Sequence, residues 1–322
     1  MKKFVAFILT LSSLFIMSFS LTACGDNRPI IGIIQFGTHE SLNNCYKGIV
    51  EGLSENVNID DYKIEYLNSN FSAEISQSQA NTLVNSKAKV IIAIATPSAI
   101  AAATSATGKN IPVVYCAVTD SSTVKNFENI TGTSDIPDFN AQLKLVTSFM
   151  GKSNLKIGVL MSTEESSDAL QIETLKTAAM QYEGMEIISK TVNDITTIDT
   201  NIDALINNNG DKIDCIVNLL DNTIVGKLQN IISKANSANI PVFGSEVEQV
   251  RSGCLASASI DYITVGKLAG GQASKILKGA NVKDVSPLTM ENETYPYYNE
   301  SVLSKFKNCK LPTDIEGLTK IS

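Results

Sequence analysis

The stretch IIAIATPSAIAAAT, residues 91–104, decides how this chain reads. From Val90 to Ala95 it is an unbroken apolar run, the pattern of a parallel strand buried on both faces. Thr96-Pro97-Ser98 follows. The Thr96 hydroxyl suits an N-cap, and Pro97 suits the first helical position, where a missing N–H costs nothing. An Ala-rich segment of high helix propensity continues to residue 107. A strand feeding a capped helix points free backbone amides into the crevice beyond the strand's carboxyl end, a ready anion site. Taken alone, the stretch is equally an ordinary βα joint, so its neighbours have to decide.

Upstream, PIIGIIQF (29–36) predicts a first buried strand, residues 40–54 an amphipathic helix, 62–67 a strand with one wet face and 73–86 a helix. Downstream, 112–118 is a fourth strand ending at Thr119-Asp120. This alternation predicts a parallel sheet with right-handed crossovers. NITGTS (129–134) reads as a short strand or a crossing segment, and 138–150 as a helix. The pattern then restarts, with strands over 156–161, 185–192, 214–219, 241–244 and 254–260 and helices over 168–182, 197–209 and 222–236. A long helix over 261–278 precedes a tail holding a possible strand and a short helix over 301–306. The expected fold is α/β: two similar lobes of parallel sheet flanked by helices, closing by a hinge over a cleft. Residues 29–133 plus 261–287 would form the first lobe and 134–260 plus 288–322 the second.

The N-terminus has its own logic. Lys2 and Lys3 precede an apolar run from Phe4 to Leu21, closed by Leu21-Thr22-Ala23-Cys24. This is the pattern of a secretory signal over residues 1–23, with a transmembrane anchor as the competing reading. LTAC resembles the lipobox of bacterial lipoproteins. That resemblance implies cleavage before Cys24, a lipid such as palmitate on its thiol, and a polar tether over 24–28. Removing Lys2 and Lys3 takes the formal charge from −7 to −9. The acidic balance argues against a nucleic-acid partner. Arg28 and Arg251 are the only arginines, so bidentate phosphate clamps are scarce. The other five cysteines are widely spaced without a CxxC and read as buried core thiols. His39 is the single histidine, which excludes a His-rich metal site. We expect neither metal nor cofactor, and no catalytic residue.

A parallel sheet binds ligands beyond the carboxyl ends of its strands. Those positions hold Gln35, Phe36 and His39, then Thr96, Pro97 and Ser98, then Thr119 and Asp120 in the first half. In the second half they hold Ser166 and Ser167, Asp221 and Asn222, and Ser245 and Glu246. Polar residues also serve as caps in any βα turn. Helix amides near Ser98 favour a carboxylate, while Asp120, Asp221 and Glu246 favour an ammonium group. Together they describe a zwitterionic α-amino acid, with Phe36 and the methyls of Thr96 and Thr119 as a small apolar wall.

The blocks IGIIQ, AIATPSA (93–99), AVTD (117–120), NITGTSD (129–135), Asp221-Asn222-Thr223, PVFGSE (241–246) and IDYITVGKLAGGQASKILKG (260–279) resemble bacterial ABC-transporter substrate-binding lipoproteins of the tryptophan/tyrosine type. The resemblance covers nearly the whole chain after residue 24. It implies a type I periplasmic-binding-protein-like fold, an aromatic amino acid between the lobes, an ABC permease as partner, and a monomer lipid-anchored on the extracytoplasmic face of the cell membrane. Residues 36–40 and the aromatic Tyr295-Pro296-Tyr297-Tyr298 depart from the pattern. The alternatives are a small-molecule enzyme, a surface adhesin or sensor ectodomain, or a binder of another amino acid or a small amine.

Overall fold

The computed structural model describes residues 26–163, 165–290 and 293–321. The signal peptide, Cys24 and the start of its tether lie outside the described residues. The first lobe opens with strand β1 (Ile30–Gln35), helix α1 (Glu40–Ser54), β2 (Lys63–Asn68), α2 (Ala73–Asn85), β3 (Val90–Ile94), α3 (Thr96–Ala106), β4 (Val113–Cys116) and β5 (Ile130–Ser134). After α4 (Phe139–Met150) comes the second lobe: β6 (Lys156–Ser162), α5 (Asp168–Ala179), β7 (Glu186–Val192), α6 (Ile198–Asn207), β8 (Cys215–Val217), α7 (Asn222–Val225), α8 (Leu228–Ser237), β9 (Val242–Phe243), α9 (Val247–Arg251) and β10 (Ala256–Ser259). The chain ends with α10 (Tyr262–Leu277), β11 (Leu288–Thr289), β12 (Tyr295–Asn299), α11 (Glu300–Leu303) and β13 (Thr319–Ile321).

The first sheet runs β11-β5-β4-β3-β1-β2, parallel throughout. The second lobe holds a parallel sheet β7-β6-β8-β9 and a mixed sheet β10-β12-β13. Bonds from Leu255 N to Val242 O (2.7 Å) and from Gly244 N to Ala256 O (3.0 Å) join those two edge to edge. Strand order reverses beside β1 in the first lobe and beside β6 in the second, and each reversal leaves a crevice at the strands' carboxyl ends.

Two expectations need correction. The helix expected over 222–236 is two, α7 and α8, separated by Gly226-Lys227. The tail expected to join the second lobe from Leu288 begins instead with β11, paired with β5 in the first sheet; the second-lobe strands start at Tyr295. Of the two readings of NITGTS the strand holds: it is bonded between β4 and β11 in the first sheet.

Apolar clusters pack helices onto both faces of the first sheet, and β3 is wholly buried, as its apolar run requires. All five described cysteines are free and buried. Helices α1 and α10 pack unusually close, because glycines face each other. A Cβ on Gly48 would overlap the Ile263 carbonyl, one on Gly266 the Cys45 carbonyl, and one on Gly270 the Ile49 carbonyl. Gly270 is thus a packing contact within a helix, not part of a phosphate loop.

Candidate functional site

The two crevices face each other and enclose a small cavity. The first lobe contributes Leu42 at the start of α1, Ala95 and Thr96 at the β3–α3 joint, and Ala117 and Thr119 after β4. Asp135, just past β5, and Tyr262, at the start of α10, line it where the chain crosses between lobes. The second lobe adds Glu165, Leu220, Asp221, Asn222, Val225 and Glu246.

Thr96 is not the N-cap that its hydroxyl suggests. Ala95 takes that position with φ 74°, and no side chain caps α3. Thr96 and Pro97 therefore fall inside the first turn. Ala117, at the matching point after β4, has φ 57°. A left-handed alanine costs free energy that the surrounding structure has to offset, and such residues gather at ligand sites. Here the strain turns the chain sharply off each strand end. The N-cap of α1, His39, also makes no side-chain cap. Elsewhere α2 and α4 are capped by Ser72 and Asp138, and α10, whose first residue Tyr262 lines the cavity, is capped by Asp261. Helices α1 and α3 thus start at the cavity without a side-chain cap, a positive end facing inward.

Four carboxylates line the cavity, Asp135, Glu165, Asp221 and Glu246, and none of its lining residues is Lys or Arg. Asp221 is already committed. Its Oδ1 accepts from Thr223 N (2.9 Å) and Ile224 N (3.0 Å), capping α7, and its Oδ2 accepts from Ser162 N at 2.7 Å. Asp168 Oδ2 accepts from the same Ser162 N–H. Burial and the Asp221 charge push the Asp168 carboxyl far above the carboxylate range, so it stays protonated beside Asp221. Asp135 accepts from Thr119 Oγ1 and Tyr262 OH, both at 3.0 Å, and burial lifts it to about 7. Glu165 accepts from Asn222 Nδ2 at 3.1 Å and is lifted to about 7 by burial and then by Asp221. Glu246 is the least engaged: Gln249 Nε2 reaches its Oε1 at 3.3 Å, and its Oε2 has no hydrogen-bond partner among the described residues.

His39, Thr96, Thr119, Asp221, Asn222 and Glu246 thus meet at the cavity wall as the sequence suggests. The other candidates stand behind it or elsewhere. Gln35 is buried and donates to Gly37 O and Asn43 Oδ1. Phe36 packs edge-on against Phe71. Pro97 is half-buried on α3, and the Ser98 hydroxyl turns to Ser76 on α2. Asp120 caps its own turn by accepting from Ser122 N. Ser166 is exposed, Ser167 bonds Gln171, and Ser245 bonds the Asn218 carbonyl. The sequence reading missed Asp135, Glu165 and Tyr262. Asp135 ends a segment read for its crossing, and Glu165 hides in a serine-rich turn.

The lobes touch across the cleft. His39 Nε2 lies 2.8 Å from Asn222 Oδ1. Glu248 on α9 accepts from Asn44 Nδ2 at 2.8 Å and from Ser41 Oγ at 3.3 Å, both on α1. These bonds define a closed arrangement. The walls, the positive helix end and the uncommitted carboxylate make the cavity a container for a small molecule carrying both charges.

Residues 30–307 match the family model described as ABC transporter substrate binding protein. A tyrosine-binding protein of Clostridioides difficile (strain R20291) is 34% identical over 293 residues, 88% of this chain and 82% of that protein. Among solved structures, an ABC domain from Streptococcus pneumonia in complex with L-Trp superposes with a TM-score of 0.83 at 26% identity, covering 91% of this chain and 100% of that one. The ligand-free, open structure of a substrate-binding protein with adhesive properties from Clostridium difficile gives a TM-score of 0.68 at 27% identity, over 91% and 99%. With the match spanning nearly all of both lobes, this chain belongs to the ABC transporter substrate-binding protein family.

Proposed function

We propose that this protein is an extracytoplasmic, non-enzymatic receptor that captures an aromatic amino acid, tyrosine or tryptophan by expectation, and delivers it to an ABC permease. It would act as a monomer tethered by a lipid on Cys24. The observation that carries the reading is the cavity's charge layout: acidic groups without a basic partner on its walls, facing uncapped helix amides. The α-ammonium would sit on Glu246, close to Asp135 and Glu165. The α-carboxylate would take the first amides of α3 and the Thr96 hydroxyl. Asp221 would hold the α7 turn and supply field, with its lone pairs already spent on backbone N–H groups. Leu42, Leu220, Val225 and Tyr262 would face the side chain. The tyrosine-binding and L-Trp-bound relatives support this side-chain class. So does the higher TM-score to the L-Trp complex than to the open relative at similar identity, given the closed lobes here.

Calorimetry with the standard amino acids tests it. L-tyrosine or L-tryptophan should bind, and Glu246→Gln should weaken binding by about 2–5 kcal/mol, the cost of truncating a buried charged pair. A wild-type protein that binds neither, or a Glu246→Gln variant of unchanged affinity, refutes the assignment. A relative with adhesive properties supports a second reading, an added role at the cell surface. Deletion that leaves aromatic amino-acid uptake intact while abolishing attachment would favour it over transport.

A further inference from the structure

We propose that His39 and Asn222 form a latch across the mouth of the cleft, setting how long a ligand stays inside through their bond to each other. The bond joins the lobes at 2.8 Å. Its polarity is set by the next link. Asn222 Nδ2 donates to Glu165 Oε2, so Asn222 Oδ1 is the acceptor and His39 Nε2 carries the proton. On the other side the imidazole lies parallel to the Phe71 ring, with centroids 6.3 Å apart and planes within 4°.

Phe71 is held in place at a backbone cost. Asn70 and Phe71 have φ of 49° and 61°, consecutive left-handed residues without glycine. The Phe71 N–H donates to Phe36 O at 2.7 Å, and its ring lies over Gly37, where a Cβ would overlap it. The strain therefore fixes one ring against His39. The series Phe71–His39–Asn222–Glu165 spans the gap between lobes.

Its location gives the latch its role. Beyond it lies an outer groove of about 750 Å³ lined in part by Phe71, Val192, Ile195 and Asn222. Asn222 lines both this groove and the inner cavity. A ligand leaving by the groove parts His39 from Asn222 first. Both residues are positioning residues in this account, acting on the ligand through closure.

The kinetic arm rests on the aromatic amino-acid reading; a spectroscopic arm does not. Stopped-flow binding of L-tyrosine should show the dissociation rate rising about 3- to 10-fold in His39→Ala and in Asn222→Ala, the loss of one neutral hydrogen bond, with association changed less than about twofold. The double variant should be no worse than either single one, and His39→Gln, which keeps an N–H donor, should return most of the loss. Additive singles, an unrescued His39→Gln, or an unchanged dissociation rate would overturn the latch. Because His39 is the only histidine, its ring nitrogens give one unambiguous NMR signature. That signature should show a bonded Nε2–H that Asn222→Ala shifts. A ring signature indifferent to Asn222→Ala overturns the latch whether or not L-tyrosine binds, and a wild type that binds no aromatic amino acid overturns the functional reading alone.

Discussion

Closing an empty cleft should take up protons. To the extent that opening lets water reach Asp135 and Glu165, both carboxyls should fall back toward their ordinary values of 3.8 and 4.5. In the closed cavity burial lifts both to about 7, with Glu246 adding to the effect on Asp135 and Asp221 to that on Glu165. An acid whose pKa is raised by closure favours closure at low pH. That preference is complete below the open-state value and is lost as pH rises through the closed-state value. The window therefore runs from about pH 4 to about pH 7, with a plateau above. Each group contributes about 1.4 kcal/mol per pH unit inside it. Lowering pH from about 7 to about 6 should raise the empty closed population about 5-fold if the two carboxyls share one proton, and up to about 30-fold if they act separately. At neutral pH the cost of burying these charges should disfavour closure of the empty cleft, and a ligand ammonium should offset it. Small-angle scattering of ligand-free protein between about pH 8 and about pH 5 should show compaction on acidification. The Asp135→Asn/Glu165→Gln double variant should already be compact at neutral pH. A radius of gyration independent of pH, together with a double variant that scatters like the wild type, would refute the reasoning.

Two further changes separate scaffold from site. Asp221→Ala should lower thermal stability by about 1–3 kcal/mol, because the N–H groups of Thr223 and Ile224 lose their acceptor and that of Ser162 keeps only Asp168; denaturation that matches wild type would show the cap to be dispensable. Gly270→Ala should cost about 1–3 kcal/mol by forcing α10 off α1, whereas Gly271→Ala, whose Cβ meets nothing within 4 Å, should stabilise by about 0.5–1 kcal/mol; urea melts distinguish the two.

Much of the fold was legible because its periods are clear. The α1 stripe of Leu42, Cys45, Ile49 and Leu53 is fully buried, and β3 matches its apolar run within a residue. What escaped was short or non-local. Val247–Arg251 is too brief for a helical period to show, and Thr319–Ile321 becomes a strand only by pairing with β12. The site was half legible for the same reason. Position just beyond a strand end picks out Thr96, Thr119, Asp221 and Glu246. It cannot separate a carboxylate that turns back on its own amides, as Asp120 does, from one that faces the cavity. Asp135 faces the cavity because Thr119 and Tyr262, 16 and 127 residues away in the chain, hold it there.

The glycine seam between α1 and α10 limits how this receptor can change over generations. Backbone rests on backbone there, so the two helices travel as one stiff beam. The beam carries Ser41, Leu42 and Asn44 at the start of one member and Tyr262 at the start of the other, so these parts of the first lobe's half-site keep a constant spacing if the lobes swing. A new side-chain preference can then arise by exchanging Leu42 or Val225 on either bank, without re-tuning the hinge. The seam itself is the part that tolerates least drift, although it lies behind the ligand and never meets it.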